Sequence, residues 1–192
     1  DDPVKIWRVL IISLLVLAST VIAYRLVVRE VWKKETEKFL ESFVVRSGEG
    51  ERGFIRADDI VEISIKNPGA ELTLTLKPSE KGGVWWITSP LQAMASQPEI
   101  RNLTVTIQNL RYEKVVDKNP KDLKVYGLDD PDIVVSFRLK GEEKSRSIYY
   151  GRRSPIQSMY YLATSRSPEV FLVDFENKFQ FNGSLSAYMD IK

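Results

Sequence analysis

The chemistry open to this chain is limited because the sequence contains neither cysteine nor histidine. Without cysteine, the chain has no disulfide, no thiol nucleophile and no structural zinc site of the usual kind. Without histidine, Ser-His-Asp triads, zinc hydrolase sites and His-ligated haem are excluded, since each depends on an imidazole. Chemistry by carboxylates, lysine or tyrosine remains open, so candidate functional residues are sought in clusters of these types.

Two short motifs resemble known binding loops. The spacing of a dinucleotide-binding loop occurs in Gly48-Glu49-Gly50-Glu51-Arg52-Gly53, but a strand follows it and two glutamates would face the phosphates. Carboxylates that could bind calcium surround Pro131, but Asp129, Asp130 and Asp132 do not have EF-hand spacing. We therefore predict a flexible linker and a turn, with no cofactor, no metal ligand and no catalytic residue, so that the chain is not an enzyme.

Aromatic and basic residues are also concentrated in the C-terminal part, at Tyr149, Tyr150, Tyr160, Tyr161, Arg152 and Arg153. A surface of this composition could bind a glycan, a lipid headgroup or nucleic acid. In alternating strands, however, one tyrosine of each pair points into the core, and we favour that structural interpretation, as for Trp85 and Trp86. The net charge of +2 gives no indication of a nucleic-acid partner.

The first element that the sequence predicts is a transmembrane helix within residues 1–29. Residues 9–24 carry no charge, and sixteen helical residues span about 24 Å, which apolar flanking residues extend towards the thickness of a bilayer. A signal peptide cleaved near Ala23 is the competing interpretation, and we expect a retained anchor. The residues expected at the two membrane interfaces are Trp7, Arg8, Tyr24 and Arg25.

Residues 30–46 continue the helical pattern as an amphipathic stalk. Apolar side chains recur at helical spacing at Val28, Trp32, Phe39 and Phe43. We predict that Trp32, Phe39 and Phe43 contact a partner helix or the membrane, and the alternative is a stalk that simply continues the membrane helix. A polar linker is expected over residues 47–59.

Residues 60–192 are predicted to form an α+β domain with a mostly antiparallel sheet and a packed helix. Hydrophobic alternation predicts strands at 60–66, 72–76, 84–88, 133–139, 147–150, 159–163 and 170–173. A helix is predicted to begin at Ser96, with an apolar stripe of Ile100, Leu103, Ile107 and Leu110. Two short helices are expected near residues 176–181 and 184–189.

Three features of this domain occur together in a known family. They are Trp85-x-Ile87-x-x-Pro90, the helix start at Ser96, and the element Tyr126-Gly127-Leu128-Asp129-x-Pro131. In this order they resemble the bacterial family catalogued as domain of unknown function 4340, from Ile60 to the C-terminus. The residues themselves suggest structural roles: Gly127 can adopt a positive φ, Leu128 can enter the core and Pro131 can begin a strand.

The resemblance implies a single N-terminal anchor in the bacterial inner membrane, with the domain outside the cytoplasm. It also implies a relation to auxiliary components of ABC-type transport systems linked to gliding motility. A count of lysine and arginine predicts the opposite orientation, because five basic residues follow the span within residues 25–38 and two precede it.

We predict a non-enzymatic accessory subunit of a larger membrane assembly, with integral membrane proteins and the lipid bilayer as partners and no nucleic acid. The alternative is an extracytoplasmic module that binds lipid or polysaccharide for an envelope transport system. An enzyme that uses carboxylates or lysine ranks last.

Overall fold

The computed structural model describes residues 3–47, 53–79, 82–155 and 158–190, and the chain divides into two compact units, residues 1–42 and 43–192. The first unit is one α-helix, α1 (Pro3–Glu41). It joins the predicted anchor and stalk without interruption, because neither proline nor glycine occurs inside it after Pro3. The helix ends five residues before the predicted end of the stalk at residue 46.

The second unit is the predicted α+β domain. Its helices are α2 (Gln97–Asn109) and α3 (Phe175–Gln180), and 3-10 helices cover Ala57–Asp59, Leu123–Tyr126 and Leu185–Tyr188. Its strands are β1 (Arg46–Ser47), β2 (Gly53–Phe54), β3 (Ile60–Asn67), β4 (Ala70–Ser79), β5 (Gly82–Ser89), β6 (Ala93–Met94), β7 (Lys114–Asp117), β8 (Ile133–Leu139), β9 (Arg146–Arg153), β10 (Met159–Thr164) and β11 (Ser167–Asp174).

Nine of these strands form one sheet in the order β6-β5-β4-β3-β8-β9-β10-β11-β7, and every neighbouring pair is antiparallel. The central pair, β3 and β8, joins an N-terminal meander to a C-terminal meander, with α2 in the connection. The predicted fold class is therefore confirmed, including the seven predicted strands. The sequence prediction missed the short edge strands β6 and β7.

One face of the sheet is apolar and forms the core. Ile63 pairs with Leu74 on one side and with Phe137 on the other, and all three are at most 1% exposed. The predicted stripe on α2 is confirmed, since Ile100, Leu103, Ile107 and Leu110 are all buried in the same core. Burial of this stripe, at roughly 1.5–3 kcal/mol per large side chain, outweighs the weak helix propensity of the β-branched residues 104–107.

The domain begins earlier than the sequence predicted. Val45 and Ile55, placed in the predicted stalk and linker, are 6% and 2% exposed and belong to the core. The backbone of Val44 donates to the carbonyl of Leu110 at 2.9 Å, and β1 pairs with β2. The linker predicted over residues 47–59 therefore differs from the structure at both of its ends, and residues 48–52 lie outside the described part of the chain.

Two buried tyrosines of the domain have opposite hydrogen-bonding situations. The hydroxyl of Tyr150 is fully buried with no hydrogen-bond partner among the described residues, and burial raises the pKa of Tyr150. The hydroxyl of Tyr188 donates to the carbonyl of Gln180 at 3.1 Å and accepts from the backbone N–H of Gly183 at 3.1 Å. Burial of the Tyr150 hydroxyl costs desolvation energy that no hydrogen bond offsets. The Tyr188 hydroxyl instead links its own ring to the backbone of Gln180 and Gly183.

We therefore expect Tyr150→Phe and Tyr188→Phe to change stability in opposite directions. Tyr150→Phe should raise the free energy of unfolding by about 1 kcal/mol, because it removes an uncompensated polar group. Tyr188→Phe should lower it by about 1–2 kcal/mol, because two hydrogen bonds are lost. Urea unfolding of the two variants measures both effects. An equal loss of stability in both variants would contradict the finding that only the Tyr188 hydroxyl forms stabilising hydrogen bonds.

Candidate functional site

The sequence Tyr126-Gly127-Leu128-Asp129-x-Pro131, which we call the Tyr126 element, follows a short 3-10 helix at Leu123–Tyr126 and ends it. The carboxylate of Asp122 accepts the backbone N–H of Lys124 at 2.9 Å and so caps the start of this helix. Gly127 ends it with φ 64°, a left-handed conformation that glycine adopts without a steric penalty. The backbone N–H of Leu128 then bonds back to the carbonyl of Leu123 at 3.1 Å.

Tyr126 is held at both ends of its side chain. Its ring meets that of Tyr161 edge-to-face, with 5.1 Å between the ring centroids. Its hydroxyl donates to Oδ2 of Asp117, on the edge strand β7, at 3.0 Å. Burial and this hydrogen bond raise the pKa of Tyr126, so the hydroxyl keeps its proton and acts as a donor.

The element also packs tightly on β9. A Cβ atom added to Gly151 would lie 2.3 Å from the carbonyl oxygen of Tyr126, and one added to Gly127 would lie 3.0 Å from the backbone nitrogen of Arg152. Leu128 is buried at 6% exposure, and Pro131 is half-buried just before β8. Gly127 thus has a positive φ, Pro131 lies two residues before β8, and Asp129 is exposed.

The outer surface of this element carries exposed basic and aliphatic side chains. Leu123 is 40% exposed and Val125 is 52% exposed, on either side of the exposed Lys124. Arg152, also exposed, lies against Gly127. We call this surface the basic corner and define it by Lys118, Lys121, Leu123, Lys124, Val125 and Arg152.

A second surface feature is a groove of about 280 Å³ beside α3. We call it the aromatic groove and define it by Asp132, Tyr160, Phe175, Lys178, Phe179 and Asn182. The ring of Phe175 lies 6.1 Å from Tyr160 and 6.1 Å from Phe179, and Phe179 is 65% exposed. The groove thus has one aromatic wall that is open to solvent.

Lys178 occupies the polar side of the aromatic groove. Its ammonium nitrogen lies 2.6 Å from Oδ2 of Asp132 and 4.0 Å from the ring centroid of Tyr160. The lysine side chain is 12% exposed, so the cation is held between a carboxylate and an aromatic face. This arrangement fixes the polar side of the groove by pairing the lysine with a carboxylate.

The predicted aromatic and basic cluster is divided between the two faces of the sheet. Tyr150 and Leu162, paired across β9 and β10, are both fully buried, while the neighbouring Tyr149 is half-buried opposite Ala163. Tyr160 joins the aromatic groove, and Tyr161 supports Tyr126 at the basic corner. Alternation predicted one buried tyrosine in the pair 149–150, but it could not place Tyr160 and Tyr161, because a register shift lies between Tyr160 and Leu162.

The Trp85 segment is held by a residue that the sequence analysis did not single out. The side chain of Gln97 accepts the backbone N–H of Trp85 at 2.9 Å and donates to its carbonyl at 3.0 Å. Trp85 is half-buried against the core. The ring centroid of Trp86 lies 4.8 Å from the ammonium nitrogen of Lys77. Pro90 is exposed and follows a cis peptide bond.

The described residues contain no group of three or more acidic side chains that could hold a metal ion. Of the three aspartates around Pro131, Asp132 pairs with Lys178, while Asp129 and Asp130 are exposed. The Gly-rich motif lies outside the described residues except for Gly53, which begins β2.

Helix α1 is long and apolar enough to cross a membrane by length and composition over Ile12–Glu41, and none of its most apolar window is buried in the protein. A signal sequence near an N-terminus has the same properties, so the helix indicates an anchor or a signal sequence. Trp7, Tyr24 and Arg25 are exposed on it, and the side chain of Arg8 lies outside the described residues.

The three predicted partner-contact residues do not all lie on α1. Trp32 is 65% exposed and Phe39 is 49% exposed on the helix. Phe43 belongs to the domain instead, where it is 9% exposed. Its ring centroid lies 4.8 Å from that of Phe54. The prediction of Phe43 as a partner contact is corrected, because the helix ends at Glu41 and this ring fills the start of the core.

Comparison with known proteins identifies a family for the chain. The family model described as Domain of unknown function (DUF4340) matches residues 85–192, more than half of the chain. The match begins at Trp85, later than the resemblance drawn from Ile60, and it includes the Tyr126 element and the aromatic groove. No curated protein and no solved structure matches the chain. The chain therefore belongs to the family described as Domain of unknown function (DUF4340).

Proposed function

We propose that this protein is a non-enzymatic accessory subunit, anchored by α1 in the bacterial inner membrane beside a larger membrane protein assembly. The observation that carries the proposal is the pair of exposed aromatic side chains, Trp32 and Phe39, that continues the apolar spacing of α1 past its uncharged segment. Val28, Trp32 and Phe39 follow one another at intervals of four and seven residues, so they share one face of the helix. A lone stalk in water gains nothing from such a face, whereas a partner helix would bury it.

The ionisable groups of the domain support a role without catalysis. Catalytic groups are recognised as titratable residues with shifted pKa values that converge in a cleft. Here the pKa is lowered for Glu142 and raised for Tyr126, Tyr150 and Tyr188, and each of these side chains is buried or bonded inside the fold. None of the four lines the aromatic groove.

An extracytoplasmic position and a transport-linked process complete the proposal. Both come from the family resemblance, and the basic residues after the apolar segment argue against this orientation. Because the chain contains no cysteine, Ser145→Cys, in the exposed turn before β9, gives a single labelling site. Labelling of this variant by a membrane-impermeant maleimide in intact cells is expected, and labelling only after lysis would place the domain in the cytoplasm.

Gentle detergent extraction from native membranes tests the accessory role. We expect a stoichiometric complex with integral membrane proteins, identified by size analysis and mass spectrometry. Trp32→Ala and Phe39→Ala should release the protein from this complex. Val31→Ala is the matched control, because Val31 is 50% exposed and lies about 100° around the helix from Trp32. Extraction of the unmodified protein as a lone monomer would refute the proposal.

The aromatic groove favours a second function, the binding of an envelope lipid or polysaccharide. Its volume of about 280 Å³ is close to that of small-ligand sites, and an aromatic wall beside Asp132 and Asn182 suits an amphipathic ligand. Native mass spectrometry of the extracted protein should then show a bound lipid or glycan. Phe179→Asp should abolish this binding, while Val105→Asp, at a 39% exposed position on α2, should not.

A further inference from the structure

We propose that the basic corner binds the anionic lipid headgroups of the membrane in which α1 is anchored. The inference rests on the anchoring part of the proposed function and not on the identity of the partner assembly. The lipid would contact the outer surface of the Tyr126 element, whose inner side packs on β9.

The basic corner carries four cationic side chains, and its three lysines form no ion pair with a described residue. These lysines, Lys118, Lys121 and Lys124, are all exposed. The carboxylate between them, Asp122, caps the 3-10 helix through the N–H of Lys124. Asp117, just before them, accepts the hydroxyl of Tyr126. Asp117 and Asp122 are thus each hydrogen-bonded within the fold, while Asp129 and Asp130, at the other end of the element, are exposed.

Aliphatic side chains stand among these cations. Leu123 and Val125 are 40% and 52% exposed, although Leu128, a few residues on, shows that the segment can send an aliphatic side chain into the core. Lysines that surround exposed aliphatic side chains are typical of surfaces that lie in the headgroup layer of a membrane. The apolar groups enter the interface while the ammonium groups meet anionic headgroups.

The same details argue against nucleic acid as the ligand. Nucleic-acid surfaces combine cations with aromatic faces on which bases stack. Here the aromatic side chain of the element, Tyr126, packs on Tyr161 and bonds to Asp117, so its ring is engaged within the fold. The exposed apolar groups of the corner are aliphatic instead.

The corner is also rigid and tethered. The close approaches of Gly151 to Tyr126 and of Gly127 to Arg152 hold the 3-10 helix on β9, so little freedom is lost when it binds. A helical stalk over residues 30–41 is about 18 Å long, and a domain of this size has a radius of gyration of about 15 Å. Because α1 and the domain belong to one chain, an anchored α1 keeps the domain at a high local concentration near the membrane.

Fluorescence of the full chain in vesicles tests the proposal. The cysteine-free sequence allows an environment-sensitive dye at Val125→Cys, with Ser145→Cys as the control position. In vesicles of phosphatidylcholine with phosphatidylglycerol, we expect a blue shift at position 125 and several-fold stronger quenching by spin-labelled lipid than in phosphatidylcholine alone. High salt, or Lys118→Glu with Lys121→Glu and Lys124→Glu, should remove the difference. Position 145 should respond to neither lipid.

Each other outcome overturns the proposal in a recognisable way. Equal signals in both vesicle types, with the chain still floating after an alkaline wash, would refute headgroup binding and leave the anchored accessory role standing. Failure to float would refute the anchor itself. A dye response to an added oligonucleotide in place of anionic lipid would identify nucleic acid as the ligand. Because the salt test uses unaltered lysines, a folding defect in the charge-reversed variant cannot imitate the result.

Discussion

Replacing Gly151 by Ala is expected to lower the free energy of unfolding of the domain by about 3 kcal/mol, a value at the upper end for overpacking. The added Cβ would lie 2.3 Å from the carbonyl oxygen of Tyr126 and 3.1 Å from that of Gly127. Both neighbours are backbone atoms, so a change of rotamer cannot relieve the clash. The 3-10 helix must therefore move away from β9 or the strand must bend.

Urea unfolding measures this loss, and Gly69→Ala is the matched control. A Cβ on Gly69, in the turn between β3 and β4, would lie 3.5 Å from Oδ1 of Asn67, an ordinary contact. Its effect should stay within about 0.5 kcal/mol. A fully stable Gly151→Ala variant would mean that the element is not pressed against β9. Because the basic corner is the outer surface of this element, Gly151→Ala should also weaken its response to anionic lipid.

The sheet could be predicted from the sequence because its strands alternate. Ile63 and Ile65, then Leu72 and Leu74, each place apolar side chains on one face, and that periodicity is local information. The stripe on α2 is equally local, with the spacing of a helix that buries one side. These elements form because each of them must cover the same core.

The edges of the domain could not be predicted in this way. Phe43 continues the helical spacing of the stalk although the helix ends at Glu41, so its spacing was misleading. Val45 and Ile55 also enter the core, and the two-residue strand pair beside them leaves no pattern to detect. The Gly-rich motif beside them suggested a linker on composition alone. Similarly, Gln97 looks like an ordinary first-turn residue, although its amide holds both backbone groups of Trp85.

The candidate sites could likewise be predicted only where the signal is local in the sequence. The Tyr126 element was recognisable because glycine and proline have local conformational meaning, and its structural role follows from them. The aromatic groove was not recognisable, since Lys178, Asp132 and Tyr160 come from three separate segments of the chain and meet only when it folds. The basic corner was hidden too, because sequence position does not show which lysines lack a carboxylate partner.

The charge cluster around Arg146 gives the second large expected effect, and it depends on pH. Arg146 is 4% exposed on the inner face of β9, and its guanidinium donates from Nε to Oε2 of Glu142 at 3.0 Å and from Nη2 to Oε1. Arg166 approaches the same carboxylate at 3.8 Å. The hydrogen bonds from Arg146 lower the pKa of Glu142 from its ordinary value of 4.5, although burial acts in the opposite direction.

Glu142→Gln should therefore lower the free energy of unfolding by about 2 kcal/mol near neutral pH, because it leaves a buried guanidinium without its counter-charge. A carboxylate whose pKa is lowered by folding stabilises the folded state above the pKa of the unfolded chain, and this stabilisation is lost as the pH falls through the folded-state pKa. The difference between the two proteins should thus shrink below pH 4.5. Urea unfolding from neutral pH to about pH 3 measures this convergence.

The adjacent Glu143 is the matched control for this prediction, because it is exposed and forms no ion pair with a described residue. Glu143→Gln should leave stability nearly unchanged and should show no convergence at acid pH. If Glu142→Gln instead caused the same loss at every pH, the carboxylate would act through its shape and not its charge. The remaining interactions of Arg146 would then hold its side chain. Packing, and not the ion pair between Arg146 and Glu142, would then stabilise the turn between β8 and β9.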